Sequence, residues 1–277
     1  MTLERLLITG AAGGLGRMAR ARLGHLARLR RLSDVVAMDP AGPGEEVVEA
    51  DLGDLAAMEA LVDGCDGIIH FGGVSVEDRF EAILEANLRG TYHLYEAARR
   101  RGSPRIVFAS SNHAIGFHTR ETRLDADAVL RPDSLYGVSK CYGEAMARLY
   151  HDKFGIETAI VRIGSCFPEP KDHRMLATWL SHDDFVRLME CVFRAPRLGC
   201  PVIYGASAND EAWWDNGRTA YLGWRPQDNA ETFRAALDAR MTPPPADDPA
   251  VRYQGGGFAA AGHFEDPPGG RGSHGDG

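Results

Sequence analysis

The sequence predicts an α/β protein built on a doubly wound parallel sheet, with a smaller C-terminal portion. Short aliphatic segments alternate with helical segments from residue 5 to residue 165, and a glycine-rich turn follows the first of them. Strands that alternate with helices form parallel sheets covered on both faces, with right-handed crossovers. We therefore expect a main domain over residues 1–165 and a smaller portion over 166–258. A tail over 259–277, rich in Pro, Gly and Asp, is predicted to be disordered.

The strands and helices of the main domain are predicted from the period of the apolar residues. The predicted strands cover residues 5–9, 29–33, 46–50, 67–71, 105–109 and 158–163. A helix begins in the glycine-rich turn, with Leu15, Met18, Ala19, Leu23 and Leu26 at helical spacing. Further helices are predicted over residues 55–62, 80–101 and 134–154.

The pattern changes after residue 165. Residues 166–180 are predicted to form an irregular loop, followed by a helix over 183–195. A seventh strand over 201–204 and a final helix over 230–241 complete the ordered part. Loops that follow the strands of such sheets commonly hold substrate, so we expect 166–258 to be the substrate-binding portion.

Composition and charge exclude several classes of protein. The net charge of -8, from 31 basic and 39 acidic residues, disfavours a nucleic-acid partner. The five cysteines include no C-x-x-C pair and no H-E-x-x-H occurs, so we predict free thiols and no metal. The N-terminus has no signal-peptide pattern and no apolar run is long enough to cross a membrane. We expect a cytoplasmic protein without a membrane partner.

The glycine-rich turn has the form G-x-x-G-x-x-G between a strand and a helix, which is typical of dinucleotide binding in a Rossmann domain. Gly10 permits the tight turn, Gly13 lets a pyrophosphate approach the backbone, and Gly16 allows close packing of helix on strand. The first N–H groups of the helix, at Gly14 and Leu15, are expected to bind the pyrophosphate.

An acidic residue at the end of the second strand is expected to bind the adenine ribose. Asp34 lies 18 positions after the last glycine of the loop, and Asp39 is the alternative if the strand is 35–38. A carboxylate here repels the extra phosphate of NADP, so NAD is the predicted cofactor. Arg17 weakly favours NADP, since a cation after the loop attracts that phosphate. Asp51 is expected either to meet the adenine or to cap the next helix.

Tyr136 and Lys140 form the most informative pair in the chain. Their spacing puts them on one face of a helix, one turn apart. A free tyrosine has a pKa of about 10, and a neighbouring ammonium lowers it, so this pair is typical of a tyrosine base. Ser111, at the end of the fifth strand, is placed to hydrogen-bond a substrate hydroxyl. The side chains expected to bury the opposite face of this helix against the sheet are Val138, Cys141, Ala145 and Leu149.

Segments along the chain resemble the extended short-chain dehydrogenases of the NAD-dependent epimerase/dehydratase group, and among them the bacterial uronate dehydrogenases. The resemblance extends from residue 5 to about residue 258 and is most specific in the later segments. The segments are TGAAGGLGR at 9–17, FGGVSV at 71–76, ASSNH at 109–113, LYGVSKC at 135–141, VRIGSC at 161–166, WLSHDDF at 179–185, GASAN at 205–209, WWDN at 213–216 and RYQGG at 252–256.

The resemblance implies NAD-dependent oxidation of a hexuronic acid, galacturonate or glucuronate, at C1 to an aldarolactone. Tyr136 would accept the C1 hydroxyl proton, Ser111 would orient that hydroxyl and Arg174 would bind the C6 carboxylate. Members of the group usually self-associate, so a homo-oligomer is expected. Further substrate contacts are implied for Ser75, Asn112, His113, Ser165 and Phe258, and further cofactor contacts for Leu52, Gly72, Lys140 and Ile163.

Two alternatives are weighed against this interpretation. A sugar-nucleotide epimerase or dehydratase needs a C-terminal domain large enough for a nucleotide, and only residues 164–277 follow the sixth strand. A non-catalytic NAD-binding regulator with the same fold would usually lack the Tyr136 and Lys140 pair. The sequence does not decide between galacturonate and glucuronate, which differ only at C4.

Overall fold

A seven-stranded parallel sheet lies at the centre of the protein. The computed structural model describes residues 2–263 and 265. Within them the sheet has the order β3-β2-β1-β4-β5-β6-β9, and all neighbouring strands are parallel. Its strands are β1 (Leu3–Thr9), β2 (Ala27–Asp34), β3 (Glu45–Glu49), β4 (Gly67–His70), β5 (Arg105–Ser111), β6 (Thr158–Ile163) and β9 (Val202–Gly205), while β7 (Ser165–Cys166) and β8 (Trp179–Leu180) form a separate parallel pair.

Helices cover both faces of this sheet, as the alternating pattern predicts. The α-helices are α1 (Gly14–Arg22), α2 (Leu55–Val62), α3 (Phe80–Ile83), α4 (Gly90–Arg100), α5 (Leu135–Phe154), α6 (Met175–Thr178), α7 (His182–Arg194), α8 (Arg234–Arg240), α9 (Pro249–Arg252) and α10 (Gly257–Ala260). A π-helical segment joins α3 to α4, and the 3-10 turns are Gly24–Leu26, Asn112–Ile115, Gly217–Leu222 and Ala230–Phe233. The predicted α/β doubly wound fold is confirmed.

Two apolar layers hold the helices to the sheet because successive side chains of a strand face opposite sides. On β1, Leu6 and Ile8 belong to one buried cluster, which includes Phe185 of α7. Leu7, between them, belongs to the other cluster, together with Met58 of α2 and residues of α4 and α5. Burial on both faces explains why β1 contains an uninterrupted aliphatic run over Leu6, Leu7 and Ile8.

The strand order places a binding crevice at the carboxyl edge of the sheet. The chain leaves β1 toward β2 on one side and returns to β4 on the other, so the order reverses between β1 and β4. Ligands of open α/β sheets bind at such a switch point. Thr9, Asp34, His70 and Ser111 are the last residues of their strands and lie on this edge.

The prediction for the buried face of α5 was wrong. Val138 and Leu149 are 48% and 43% exposed, and Ala145 is also exposed. The helix instead packs through Gly143, where a Cβ atom would lie 2.1 Å from the Phe108 ring of β5. The close approach at this glycine brings a mixed face of α5 against the sheet, on which Lys140 and Glu144 are buried beside the apolar Met146 and Ala147.

Other differences concern the ends of elements. Helix α1 stops at Arg22, and the apolar spacing continues to Leu26 through a 3-10 turn. Residues 166–180, predicted as an irregular loop, contain the β7–β8 pair and α6. The predicted helix 230–241 begins as a 3-10 turn and is α-helical from Arg234.

The described residues contain no helix that is both long and apolar enough to cross a membrane. The cytoplasmic location and the homo-oligomeric state stay predictions. Of the tail predicted to be disordered, Ala259 and Ala260 lie in α10, while residues 264 and 266–277 lie outside the described residues.

Candidate active site

The glycine-rich loop has the close approaches that its sequence predicts. Gly10 adopts φ +66°, and a Cβ there would lie 2.7 Å from the backbone of Gly72. At Gly16 a Cβ would lie 2.2 Å from the Gly10 carbonyl oxygen, so only glycine lets α1 start this close to β1. The loop is closed by a hydrogen bond from the Gly13 N–H to the Gly10 carbonyl at 3.1 Å.

The start of α1 is open to an anion. The first N–H groups of a helix have no intrahelical acceptor, and within the described chain no side chain caps this end at Gly13. A Cβ on Gly14 would have no atom within 4 Å, so the backbone is accessible there. Leu15, at the next position, is partly buried against the core. Backbone donors and the positive end of the helix dipole together fit a pyrophosphate.

Asp34 lies beside this loop and Asp39 does not. Asp34 ends β2, and its carboxylate accepts hydrogen bonds from the N–H groups of Ala12 at 2.9 Å and Val35 at 2.8 Å. Residues 35–38 form no strand, which removes the basis for the alternative, and the Asp39 side chain is exposed. Asp34 therefore lies at the tip of β2, next to the glycine loop, as its spacing predicts.

The other predicted cofactor residues lie around the same crevice. Asp51 follows β3 and accepts from the Gly53 N–H at 2.8 Å, whereas α2 is capped by Asp54, so the capping alternative for Asp51 was wrong. Leu52 is buried, and a Cβ on Gly72 would lie 2.7 Å from it. Ile163, at the end of β6, is paired with Ser111. Arg17 is exposed on α1.

Tyr136, Lys140 and Ser111 converge at the end of β5. The Lys140 Nζ atom lies 5.4 Å from the centroid of the Tyr136 ring and 5.4 Å from that of Phe108. The Ser111 side chain lies close enough to the Tyr136 hydroxyl to lower its pKa. The phenol, the ammonium and the hydroxyl therefore form one buried group, as the spacing predicts.

Burial disfavours the charged forms of Tyr136 and Lys140 and shifts the pKa of each accordingly. It raises the pKa of Tyr136 to about 12, and the hydrogen bond from Ser111 opposes this rise. It lowers the pKa of Lys140 to about 8. A phenol with this pKa is protonated at neutral pH and cannot accept a proton in that form. Proton transfer to Tyr136 therefore requires additional positive charge beside the phenol, which favours the phenolate.

Arg174 is a deeply placed guanidinium without an acidic partner. Burial lowers its pKa to about 10, and among the described residues it forms no salt bridge. Its Nε donates to the Gln254 carbonyl at 2.8 Å, and its Nη2 donates at 2.6 Å to the side-chain oxygen of Asn112. The Asn112 amide nitrogen in turn donates to the Ile163 carbonyl at 3.2 Å. Buried cations are normally paired, so the site is suited to an incoming anion.

Two stacked aromatic rings lie beside the Tyr136 group. The rings of His113 and Phe258 stack with centroids 3.9 Å apart, and His113 meets the Tyr136 ring edge-on at 5.8 Å. Phe258 belongs to α10, so a residue near the C-terminal end of the described chain reaches the end of β5.

The two predicted serines differ in burial. Ser165 is buried in β7, and its hydroxyl shares a hydrogen bond of 3.0 Å with Thr178. Ser75 is exposed on the loop after β4. That loop borders the crevice through Gly72 and Gly73, so Ser75 lies at its rim rather than in its interior.

Several residues that hold this site together were missed by sequence reasoning. Glu77 accepts from the N–H groups of Leu135 at 3.0 Å and Tyr136 at 2.9 Å, which joins the β4 loop to the start of α5. Asn87 accepts from the Val74 N–H and donates to Ser139 at 2.8 Å. No spacing in the sequence pairs these residues, because their partners lie far along the chain.

Gln254 fixes the segment that carries Phe258. It is fully buried, accepts from the Trp214 indole at 2.9 Å and donates to the Thr119 and Thr122 carbonyls at 3.0 and 2.8 Å. Its own carbonyl holds Arg174. The segment thus closes the site by side-chain bonds to backbone atoms, which the motif RYQGG alone does not reveal.

A buried ion pair joins α5 to β6. Glu144 of α5 receives two hydrogen bonds from Arg162, each of 2.8 Å, and one from Ser110 at 2.7 Å.

Within residues 2–263 and 265, no group of three His, Cys, Asp or Glu side chains is arranged to hold a metal.

Comparison with known proteins agrees with these features. The model of the NAD dependent epimerase/dehydratase family matches residues 6–183. A uronate dehydrogenase of Agrobacterium fabrum is 60% identical over 256 residues, which are 92% of this chain and 97% of that protein.

Two solved structures extend the likeness to three dimensions. A mutant of the Agrobacterium tumefaciens uronate dehydrogenase complexed with NAD is 59% identical, with a TM-score of 0.93 over 95% of this chain and 99% of that one. A glucuronic acid dehydrogenase from Chromohalobacter salexigens is also 59% identical, with a TM-score of 0.94 over 96% of this chain and 100% of that one. The chain therefore belongs to the NAD dependent epimerase/dehydratase family and, within it, to the family of the uronate dehydrogenases.

Proposed function

We propose that this protein is an NAD-dependent uronate dehydrogenase, which oxidises D-galacturonate or D-glucuronate at C1 to the aldarolactone. The observation that carries the proposal is Arg174, a partly buried guanidinium without a carboxylate partner in the described chain, in the same crevice as the Tyr136 group. Relatives that match nearly the whole chain have this activity in their names, rather than that of an epimerase or a regulator.

The glycine loop and Asp34 would hold NAD. The free N–H groups at the start of α1 would bind the pyrophosphate, and the Asp34 carboxylate would accept from the ribose hydroxyls. A 2′-phosphate would meet the negative charge of Asp34, which favours NAD over NADP. When bound, NAD supplies the acceptor for the hydride that leaves the substrate carbon.

We expect replacement of Asp34 by Ala to weaken NAD binding by about 10- to 100-fold, because hydrogen bonds to a charged acceptor are lost. The preference for NAD over NADP should fall by more, because repulsion of the 2′-phosphate is lost as well. Fluorescence titration with the reduced cofactors gives both dissociation constants. Asp39→Ala is the matched control and should leave them unchanged; equal effects of the two variants would contradict the assignment.

The residues at the end of β5 would carry out the proton chemistry. The C1 hydroxyl would lie between Ser111 and Tyr136, and Tyr136 would accept its proton while the C1–H bond breaks and the C1=O bond forms. Lys140, as an ammonium, would stabilise the phenolate by its charge. Because C1 of a cyclic uronic acid is a hemiacetal carbon, the product is a lactone.

The substrate carboxylate would bind Arg174, since a planar guanidinium offers parallel donors to both oxygens. Asn112, His113 and Ser165 would bind ring hydroxyls, and Phe258 would pack against the ring. Ser75 would add a contact from the rim. These assignments follow the positions of the side chains around one crevice.

An absorbance assay tests the function directly. Purified protein is mixed with NAD and either galacturonate or glucuronate, and NADH is followed at its absorbance maximum. Galactose and glucose, which lack the carboxylate, serve as matched substrates, and separate product analysis after incubation with UDP-glucose tests the epimerase alternative, which produces no net NADH. We expect NADH with the uronates and much slower or no reaction with the neutral sugars. Absence of NADH with both uronates would refute the proposal.

Replacement of Arg174 by Ala is expected to raise the KM for uronates by about 100-fold or more, with a smaller change in kcat, since a charge-assisted bidentate contact is lost. The KM for a neutral sugar should change little. Arg174→Lys, which keeps the charge but not the fork, should recover only part of the loss. Arg197→Ala, at an exposed arginine away from the crevice, is the control. An unchanged uronate KM in Arg174→Ala would exclude this residue from the carboxylate site.

A further inference from the structure

Asp133 is a buried carboxylate directly behind His113. Its Oδ2 and Oδ1 atoms lie 2.9 and 3.2 Å from the His113 Nδ1 atom, and its side chain is fully buried. Oδ1 also accepts a hydrogen bond of 2.9 Å from the Ser134 hydroxyl. Ser134 in turn caps α5 by accepting from the Gly137 N–H at 2.9 Å. The carboxylate therefore connects the His113 ring to the start of the catalytic helix.

Two glycines make room for this carboxylate. A Cβ atom would lie 1.9 Å from Oδ2 at Gly116 and 1.8 Å from it at Gly255. These two residues are themselves joined by a hydrogen bond of 2.9 Å from the Gly255 N–H to the Gly116 carbonyl. Gly255 adjoins Gln254, whose carbonyl holds Arg174. The backbone thus encloses Asp133 on the side away from His113, and its position is fixed.

This contact determines which nitrogen of His113 carries the proton. An ionised carboxylate only accepts hydrogen bonds, so Nδ1 must be the donor. In the neutral ring Nε2 is then an acceptor. No described residue hydrogen-bonds Nε2, and the ring lies against Tyr136 and Phe258, where the proposed substrate binds.

We propose that Asp133 is a positioning residue that holds His113 in the Nδ1–H tautomer, so that Nε2 accepts a hydrogen bond from a substrate hydroxyl beside Tyr136. The proposal rests on the proposed function, because it requires a substrate with several hydroxyl groups. Asp133 itself is enclosed by protein and acts only through His113.

The first test is independent of activity. Long-range nitrogen–proton NMR of the isotope-labelled protein at pH 9 identifies the protonated nitrogen of each histidine, and a His113→Gln sample assigns the signal. We expect protonated Nδ1 and unprotonated Nε2 in the wild type. In Asp133→Asn the amide can donate to Nδ1, so the proton should move to Nε2. A proton on Nε2 in the wild-type protein would overturn the proposal, whether or not uronates are substrates.

The second test measures the consequence for binding. Asp133→Asn keeps the side-chain volume and can still accept from Ser134, but it turns Nε2 from an acceptor into a donor. We expect the uronate KM to rise by about 10- to 100-fold, with a smaller change in kcat and an unchanged Kd for NAD. Unfolding measurements on the same samples check that the variant is folded.

A double variant separates positioning from a general structural role. If Asp133 acts through His113, adding Asp133→Asn to His113→Ala should change KM by less than about twofold. An equal loss in the presence and absence of His113 would overturn the proposal. If the NMR result holds while no uronate is oxidised, the tautomer assignment stands and the proposed function fails.

Discussion

Replacing Tyr136 with Phe is expected to lower the kcat of uronate oxidation by at least about a thousandfold, while NAD binding changes by less than about twofold. The variant removes one oxygen atom, the only acceptor proposed for the C1 hydroxyl proton, and general base catalysis commonly contributes 10²- to 10⁴-fold. The aromatic ring remains, so its contacts with His113 and Phe258 persist. The loss should therefore appear in kcat rather than in cofactor affinity.

Steady-state kinetics and NAD titration of the purified variant provide the measurement. Tyr142→Phe is a matched control, because Tyr142 lies on the same helix outside the proposed site and is only partly buried. It should retain the wild-type kcat. Retention of more than a tenth of the wild-type kcat in Tyr136→Phe would exclude Tyr136 as the base.

Replacing Lys140 with Met is expected to lower kcat by about 10²- to 10⁴-fold and, at pH 7, to stabilise the ligand-free protein by about 3 kcal/mol. The kinetic loss follows because the charge that stabilises the Tyr136 phenolate is removed. The stability gain follows because burial lowers the pKa of Lys140 from 10.5 to about 8. The buried ammonium therefore destabilises the folded state, whereas the unfolded chain exposes it to water. Met has a similar length and is apolar.

The stability difference between the wild-type protein and Lys140→Met should decrease as the pH rises. Below pH 8 Lys140 is charged in both states, and the cost of its burial is complete. Between pH 8 and pH 10.5 it is neutral when folded and charged when unfolded, so the wild-type protein gains stability relative to the variant as the pH rises. The advantage of Lys140→Met should therefore disappear by about pH 10.5.

Denaturant unfolding of both proteins at pH 7 and pH 10 measures this difference. Lys153→Met is the control, because Lys153 is exposed near the end of the same helix and its replacement should change stability little at either pH. A destabilised Lys140→Met protein at pH 7 would show that the ammonium has a compensating partner. The contact of Nζ with the Tyr136 and Phe108 rings is the candidate for such compensation.

The sequence by itself determined the fold class, the glycine-rich loop and the Tyr136 and Lys140 pair that we propose for catalysis. These features depend on residues close together in the chain: the period of apolar residues, four glycines within seven positions and a tyrosine and lysine one helical turn apart. The spacing of nearby residues sets their relative positions within one helix or turn, and these positions are the same in the folded protein. Arg174 was predicted through the resemblance, since an arginine in a loop is otherwise unremarkable.

Only the tertiary structure decided which groups meet across the chain. It placed Asp34 rather than Asp39 beside the glycine loop, because β2 ends at Asp34. It also gave α5 a buried face other than the predicted one, because Gly143 lets the helix approach Phe108 on the side that carries Lys140 and Glu144. Burial of Lys140 is a consequence of that approach. Helical spacing identifies the residues that share a face, but what that face contacts depends on the sheet beneath it.

The roles of the residues that support the site also depend on tertiary contacts. Glu77 and Asp133 are ordinary acidic residues in the sequence, and their partners lie 59 and 20 positions away. Their roles arise because the carboxyl ends of parallel strands bring separate loops to one edge of the sheet. The sequence thus specified the chemical groups at Tyr136 and Lys140, and the folded chain supplied the hydrogen bonds and the burial that set their positions and their pKa values.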